Sequence, residues 1–300
     1  MPTKRRKLGP SYHRAARPYD KRFAASLPAK RRYEYLIQHI KTTTQTWPAG
    51  NTLKVEKLRD LGMDEDILHG MQYGFNLPTE SFKPTANQNY FTGDREINRR
   101  VSEEWRRLEE NGKIEYLGHR RPANLTIVPC AGIITERILQ DHVDPAVLEW
   151  HELNKLRIIT DLKKAGVNKA IFFDRHELHF CKLSDVCRKI TKNCYMYIID
   201  ISDCYFHWPV ASECTNLLGI YDEHRGEYAK YKFCPFGLEA SGYINDKCLK
   251  AVLECMKRSQ EIGECGDPVD YVDDMFDCHE DENTAWDRFE NVILFLLSVG

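Results

Sequence analysis

Apolar residues recur along the chain with two different periods, and the changes from one to the other outline the fold. A period near 3.6 predicts helices over residues 31–42, 53–61, 96–110, 178–190 and 284–299, and another that starts at Ser241. Ile97, Val101, Trp105 and Leu108 share one face of the third, and Asn111-Gly112 closes it. Leu183, Val186 and Ile190 are expected to pack the fourth beneath a sheet. Ser241 is expected to cap a helix whose buried side carries Ile244, Cys248, Ala251, Val252 and Cys255. Extended apolar runs predict strands over 113–117, 125–129 and 195–199, the last of them buried. Residues 217–221 and 227–233 flank a polar turn at His224-Arg225-Gly226 and read as a hairpin. Residues 268–272 and Met275-Phe276 form a second one. Hairpins alternating with amphipathic helices imply an α+β fold, an antiparallel sheet backed by helices.

The second hairpin carries Tyr271-Val272-Asp273-Asp274 and puts two carboxylates at its tip. Adjacent carboxylates repel unless a cation lies between them, which suits Mg²⁺, a hard ion that takes oxygen ligands. Asp-Asp is also ordinary turn chemistry. A third carboxylate decides between the two readings: 73 residues before Asp273, the apolar run Tyr195-Met196-Tyr197-Ile198-Ile199 ends on Asp200. A strand delivering one carboxylate and a hairpin delivering two is the arrangement that clamps two metal ions for phosphoryl transfer.

These segments resemble reverse transcriptases. Asp200-Ile201-Ser202-Asp203-Cys204-Tyr205-Phe206 is similar to the family's first catalytic block, an apolar strand followed by Asp-x-x-Asp-Ala-Tyr/Phe, with Cys204 in place of alanine. Tyr271 to Asp274 resembles its Tyr-x-Asp-Asp block. Between them, Cys234-Pro235-Phe236-Gly237-Leu238-Glu239-Ala240-Ser241-Gly242 looks like Leu-Pro-Phe-Gly-Leu-x-x-Ala-Pro, with Gly242 replacing the final proline. The resemblance implies fingers and a palm. It assigns Asp200, Asp273 and Asp274 to catalysis, and the same three with the carbonyl of Ile201 to two Mg²⁺ or Mn²⁺ ions. It also implies nucleotide contacts at Arg157, Lys163, Asp203, Cys204, Tyr205, Phe236 and Gly237. Arg157 follows from Leu156-Arg157-Ile158-Ile159-Thr160-Asp161-Leu162, which resembles the strand whose arginine reaches the triphosphate. Tyr205 falls at the family's aromatic gate against a ribose 2′-hydroxyl. Cys130 stands where a lysine commonly follows Val-Pro, which moves that phosphate contact to a neighbour such as Lys155.

The implied partners are a primed RNA or DNA template and deoxynucleoside triphosphates. Other domains of a parent polyprotein are implied too: a thumb, a ribonuclease H, a recombinase or an integrase. Ile67 to Pro78 resembles the lead-in of DIRS-type retrotransposons, with gypsy-type elements as the second lineage. The expected organisation is a disordered basic tail over 1–30, a helical lead-in over 31–95, and fingers and palm over 96–300, cut short before the thumb. Two rivals remain. An RNA-dependent RNA polymerase usually shows Gly-Asp-Asp and lacks the aromatic gate. A non-catalytic, decayed or domesticated remnant would only bind nucleic acid.

Composition adds three constraints. The chain has 300 residues, 42% hydrophobic and 29% charged, enough for a substantial core and one or two domains. No run of 18 apolar residues and no signal-peptide core occurs, so an intracellular protein without a membrane partner is expected. Eleven cysteines without a Cys-x-x-Cys pair indicate reduced thiols rather than a disulfide framework or zinc ribbon. His176-Glu177-Leu178-His179 brings its second histidine one residue too early for a metalloprotease helix. Residues 1–41 hold twelve Lys or Arg against Asp20 and Glu34, a balance of +10 that leaves −12 for the rest of a chain with net charge −2. Lys4-Arg5-Arg6-Lys7 fits a nuclear-import signal, a phosphate-binding arm or a solubilising tail equally. Residues 131–154, with Asp141, Asp144, Glu149 and Glu152, are expected to form an inserted surface loop or helix.

Overall fold

The computed structural model describes residues 18–79, 82–91, 93–136, 150–173 and 181–300. The basic Lys4-to-Lys7 cluster, His176 to His179, and Asp141, Asp144 and Glu149 lie outside them.

The described residues open on α1 (Lys21–Ala25) and α2 (Ala29–Thr44), so the described part of the basic segment expected to be disordered carries helix. Its order comes from contacts made far along the chain. Asp20 caps α1 by accepting from Phe23 N, Tyr19 packs on Tyr35 at 5.0 Å, and Tyr19 Oη donates to Glu290 Oε1 at 2.8 Å. Two further helices follow, α3 (Val55–Asp60) and α4 (Glu65–Tyr73), the second capped by Asp64. Beyond α4, Phe75 N donates to Pro209 O and Ala211 N to Phe75 O, which ties this segment to the chain just after the Asp200 block. Next comes α5 (Arg95–Glu110), with Asp94 as its cap and Val101, Trp105 and Leu108 buried. Its outer face is laced by ion pairs such as Arg99–Glu103 and Arg107–Glu104.

Among the described residues eight strands form three antiparallel sheets. One has the order β1 (Ile114–Gly118), β6 (Glu227–Tyr231), β5 (Gly219–Asp222). The second pairs β2 (Cys130–Glu136) with β3 (Asn154–Thr160), with α6 (Trp150–Leu153) leading into β3. The third has the order β4 (Tyr195–Asp200), β8 (Asp274–His279), β7 (Val269–Tyr271). Short α7 (Val167–Ala170) follows β3, α8 (Leu183–Lys189) precedes β4, and the long α9 (Glu239–Arg258) and α10 (Glu282–Val299) complete the layers. One hydrophobic cluster joins Trp105 of α5, Ile220 of β5, Leu249 of α9, Met275 of β8 and Phe295 of α10.

Five local expectations are corrected. The strand expected at 125–129 is a buried segment bridged singly at Ile127 to Ala86 and Gly219; the ladder begins at Cys130, because this segment threads between two chains rather than lying along one. That ladder occupies the start of the stretch expected to be an inserted loop. The β4 strand is not buried. Among the described residues it is an edge strand paired with β8 alone, and Met196 and Ile198 are 59% and 65% exposed. Nor does α8 pack apolar residues beneath a sheet: Leu183 is 78% exposed, and the helix meets β8 through polar contacts such as Cys278 Sγ to Lys189 O at 3.0 Å. Finally, Ser241 does not cap α9. The helix begins at Glu239, and the buried Ser241 hydroxyl donates to Pro235 O at 2.9 Å.

No helix among the described residues is long and apolar enough to cross a membrane.

Candidate active site

The third sheet brings the aspartates together. In the β4–β8 ladder Asp200 lies opposite Asp274, and Ile201 N donates to Asp273 O at 2.8 Å. The hairpin between β7 and β8 turns through Val272 and Asp273, and Val272 takes φ +60°, an unusual conformation for a β-branched residue. Burial holds the Asp274 carboxyl above its ordinary range, and the charges of Asp273 and Asp200 push it the same way. Clustered oxygen donors under mutual repulsion fit a hard divalent cation. Among the described residues no group of three or more His, Cys, Asp or Glu is disposed to hold a metal ion, so the three carboxylates meet at one corner of the sheet without enclosing a site.

Beside them the chain leaves β4 through Ile201 and Ser202 to Asp203, at φ +54°, and a 3₁₀ turn over Cys204–His207. Cys204 is buried, its thiol pushed up to about 12 by burial and then by the charge of Asp273. The Tyr205 phenol is also pushed up to about 12 by burial, with the charges of Cys204 and Asp273 adding to it, which places that ring within electrostatic reach of the hairpin tip. Phe236 lies against Tyr205 at 4.9 Å between centroids and remains partly exposed. Asp200, Asp273, Asp274, Tyr205 and Phe236 thus come from three separated stretches of chain to one surface.

No family model matches the sequence, and no curated protein matches it. The structure is similar to that of Prototype Foamy Virus protease–reverse transcriptase, in a selenomethionine-labelled CSH mutant, with a TM-score of 0.57 and 15% sequence identity. The fold is that of a reverse transcriptase. The match covers 93% of this chain and 31% of that one, so the chain spans about a third of the length of the protein it resembles. The likeness carries no retroelement lineage, neither DIRS-type nor gypsy-type.

On this reverse-transcriptase fold the remaining expected residues are placed unevenly. Gly237 belongs to the site's framework: at φ +95° it lies so close to β3 that a Cβ would stand 2.0 Å from Thr160 O. Thr160 Oγ1 donates to Phe236 O at 2.6 Å, and Asn168 donates to Gly237 O at 3.0 Å while its Oδ1 accepts from Glu239 N at 3.2 Å. Replacing Gly237 by alanine is expected to destabilise the fold by about 2–4 kcal/mol, measured by urea unfolding, since both the φ and the contact are unfavourable. Arg157 and Lys163 are not gathered with the aspartates by any contact seen. Arg157 is exposed on β3 and donates to Thr135 Oγ1 at 3.4 Å, while Lys163 is exposed in the turn after β3. Cys130 is buried, with its N–H on Asn89 Oδ1, and Lys155 is exposed.

Sequence reasoning missed several residues. Asp203 faces Arg107 at 3.3 Å, and the half-buried Lys113, pushed down to about 8 by burial, feels its charge. Thr160 lies within the segment that resembles the family's arginine strand and Asn168 six residues beyond it, yet their bonds to Phe236 and Gly237 carry no signal in spacing. Trp208 and Asn245, hydrogen-bonded at 2.8 Å, were equally silent.

Proposed function

We propose that this chain is the fingers and much of the palm of an RNA-directed DNA polymerase from a retroelement, adding deoxynucleotides to a primer 3′-hydroxyl on a template. The observation that carries the reading is the convergence of Asp200 with Asp273 and Asp274, on strands that pair in a reverse-transcriptase fold. In-line attack on the α-phosphorus develops charge on the attacking and leaving oxygens. Two Mg²⁺ or Mn²⁺ ions bound by Asp200, Asp273, Asp274 and the Ile201 carbonyl would neutralise that charge and lower the pKa of the hydroxyl. Asp203 and Cys204 would present backbone amides to the triphosphate, with Phe236 and Gly237 walling the nucleotide. Arg157 and Lys163 would supply cationic contacts from the β3 side. Tyr205 would stand beneath the sugar and exclude a ribose 2′-hydroxyl by clash. Its packing on Phe236 supports this, because that contact sets the ring against the residue that would wall the nucleotide.

The test is primer extension on poly(rA)·oligo(dT) with Mg²⁺ or Mn²⁺, using this chain, a version extended through its natural downstream sequence, and the Asp273→Asn/Asp274→Asn double variant. Extension that the double variant abolishes supports the reading. Binding of the primed template without extension by either chain replaces it with a nucleic-acid-binding remnant. In the active chain, Tyr205→Val is expected to raise rGTP use relative to dGTP on a poly(rC)·oligo(dG) template by about 10-fold or more, and unchanged discrimination would remove Tyr205 from the gate role.

A further inference from the structure

The turn that presents Asp273 and Asp274 depends on a residue outside the three motif blocks. Val272 sits at φ +60°, where a branched Cβ crowds the backbone and the conformation persists only if the surroundings enforce it. The enforcing contact is Asn245 on α9. Its Nδ2 donates to Val272 O at 2.5 Å, and its Oδ1 accepts from Trp208 Nε1 at 2.8 Å. Asn245 and Trp208 are both buried, so the bond between them is shielded from water, and the bond to Val272 is part-buried. Trp208 in turn follows the 3₁₀ turn carrying Tyr205, and its own N–H donates to Tyr205 O at 3.1 Å. One amide side chain therefore joins all three parts of the candidate site: the turn after Asp200, the helix after Gly237, and the hairpin tip.

We propose that Asn245, braced by Trp208, is the positioning residue that holds Val272 left-handed and so aligns Asp273 and Asp274. The inference rests on the reading of those aspartates as the reactive pair. Two features suit Asn245 for the role. Its amide accepts from the indole and donates to the carbonyl at once, which neither an ionised aspartate nor leucine can do. Its place on the long, buried α9 also gives the turn a rigid reference.

The experiment compares the full chain with Asn245→Ala, Asn245→Asp, Val272→Gly and Asn245→Ala/Val272→Gly, by primer extension and by amide hydrogen exchange over residues 271–275. Both Asn245 variants are expected to extend primers about 100-fold more slowly, as for a small misplacement of reacting groups, with KM for the nucleotide within about threefold. Their hairpin amides should exchange faster while the rest of the chain keeps its protection. The decisive arm is the double variant. Glycine takes positive φ unaided, so Val272→Gly should restore about 10-fold of the lost rate in the Asn245→Ala background. A merely structural asparagine would not be rescued from the hairpin. Asn245→Ala with wild-type rate and exchange overturns the proposal, as does a double variant slower than Asn245→Ala alone. Should the alanine variant fail to fold, Asn245→Asp, nearly equal in shape, carries the same arms. Should the unmodified chain not extend primers, the polymerase reading fails, yet unchanged hairpin exchange in the Asn245 variants would separately overturn the positioning role.

Discussion

Replacing Asp200 by asparagine is expected to lower primer extension by about 10³-fold or more while leaving the chain folded. Asp200 ends β4 directly opposite Asp274, and the next carboxylate along the chain, Asp203, is turned toward Arg107 instead. Among the described residues no neighbouring carboxylate would take its place as a ligand of the proposed metal ions. An amide is a poor ligand for a hard cation, and the charge developing at the α-phosphorus loses several kcal/mol of compensation. Folding survives because Asp200 is exposed and contributes repulsion: its charge is one of those that push the Asp274 carboxyl upward. The unfolding midpoint of the variant is therefore expected to match or exceed that of the parent. Single-turnover extension alongside a thermal melt checks both halves, and activity within about tenfold of the parent would remove Asp200 from the metal-binding role.

The second large effect is on stability. Arg32 of α2 is 5% exposed and Glu290 of α10 is 1% exposed. The guanidinium donates to Glu290 through Nε at 2.6 Å and Nη2 at 3.0 Å, and to Asp287 at 2.8 Å, and it lies 5.3 Å from the centre of the Trp286 ring. Arg32→Ala would leave a buried carboxylate with Tyr19 as its remaining hydrogen-bond donor seen here. The expected loss is about 3–5 kcal/mol, or about 10 °C in Tm. Because the penalty is that of the orphaned charge, the Arg32→Met/Glu290→Leu pair is expected to recover much of it. Differential scanning calorimetry of the single and double variants tests this. A single variant that melts with the parent would show that α2 is not anchored to α10 in solution.

That anchoring marks where sequence reading stopped. The helices over Arg95–Glu110 and Glu282–Val299, the hairpin over Gly219–Asp222 and Glu227–Tyr231, and the turn between Tyr271 and Asp274 were all legible, because each is set by local periodicity and turn chemistry. The aspartates were legible for a related reason. Asp200 closes an apolar run and Asp273-Asp274 sit at a hairpin tip, so their positions follow from short-range pattern, and the resemblance to reverse transcriptases supplied their pairing.

What the pattern did not report was which neighbours each element would meet. The apolar run of β4 predicts a strand equally well at a sheet's centre or its edge, and only the β4–β8–β7 order leaves Met196 and Ile198 open. The basic segment before residue 30 has the composition of a tail, yet its described part carries a helix at Lys21–Ala25, held where Tyr19 and Arg32 find Glu290, some 260 to 270 residues away. Asn245 is an unremarkable polar residue on a helix until Trp208 and Val272 are brought to either side of it. Periodicity records the face a side chain prefers. The partners that satisfy a buried charge, amide or strained turn lie far off in the chain, so only the closed tertiary structure decides them.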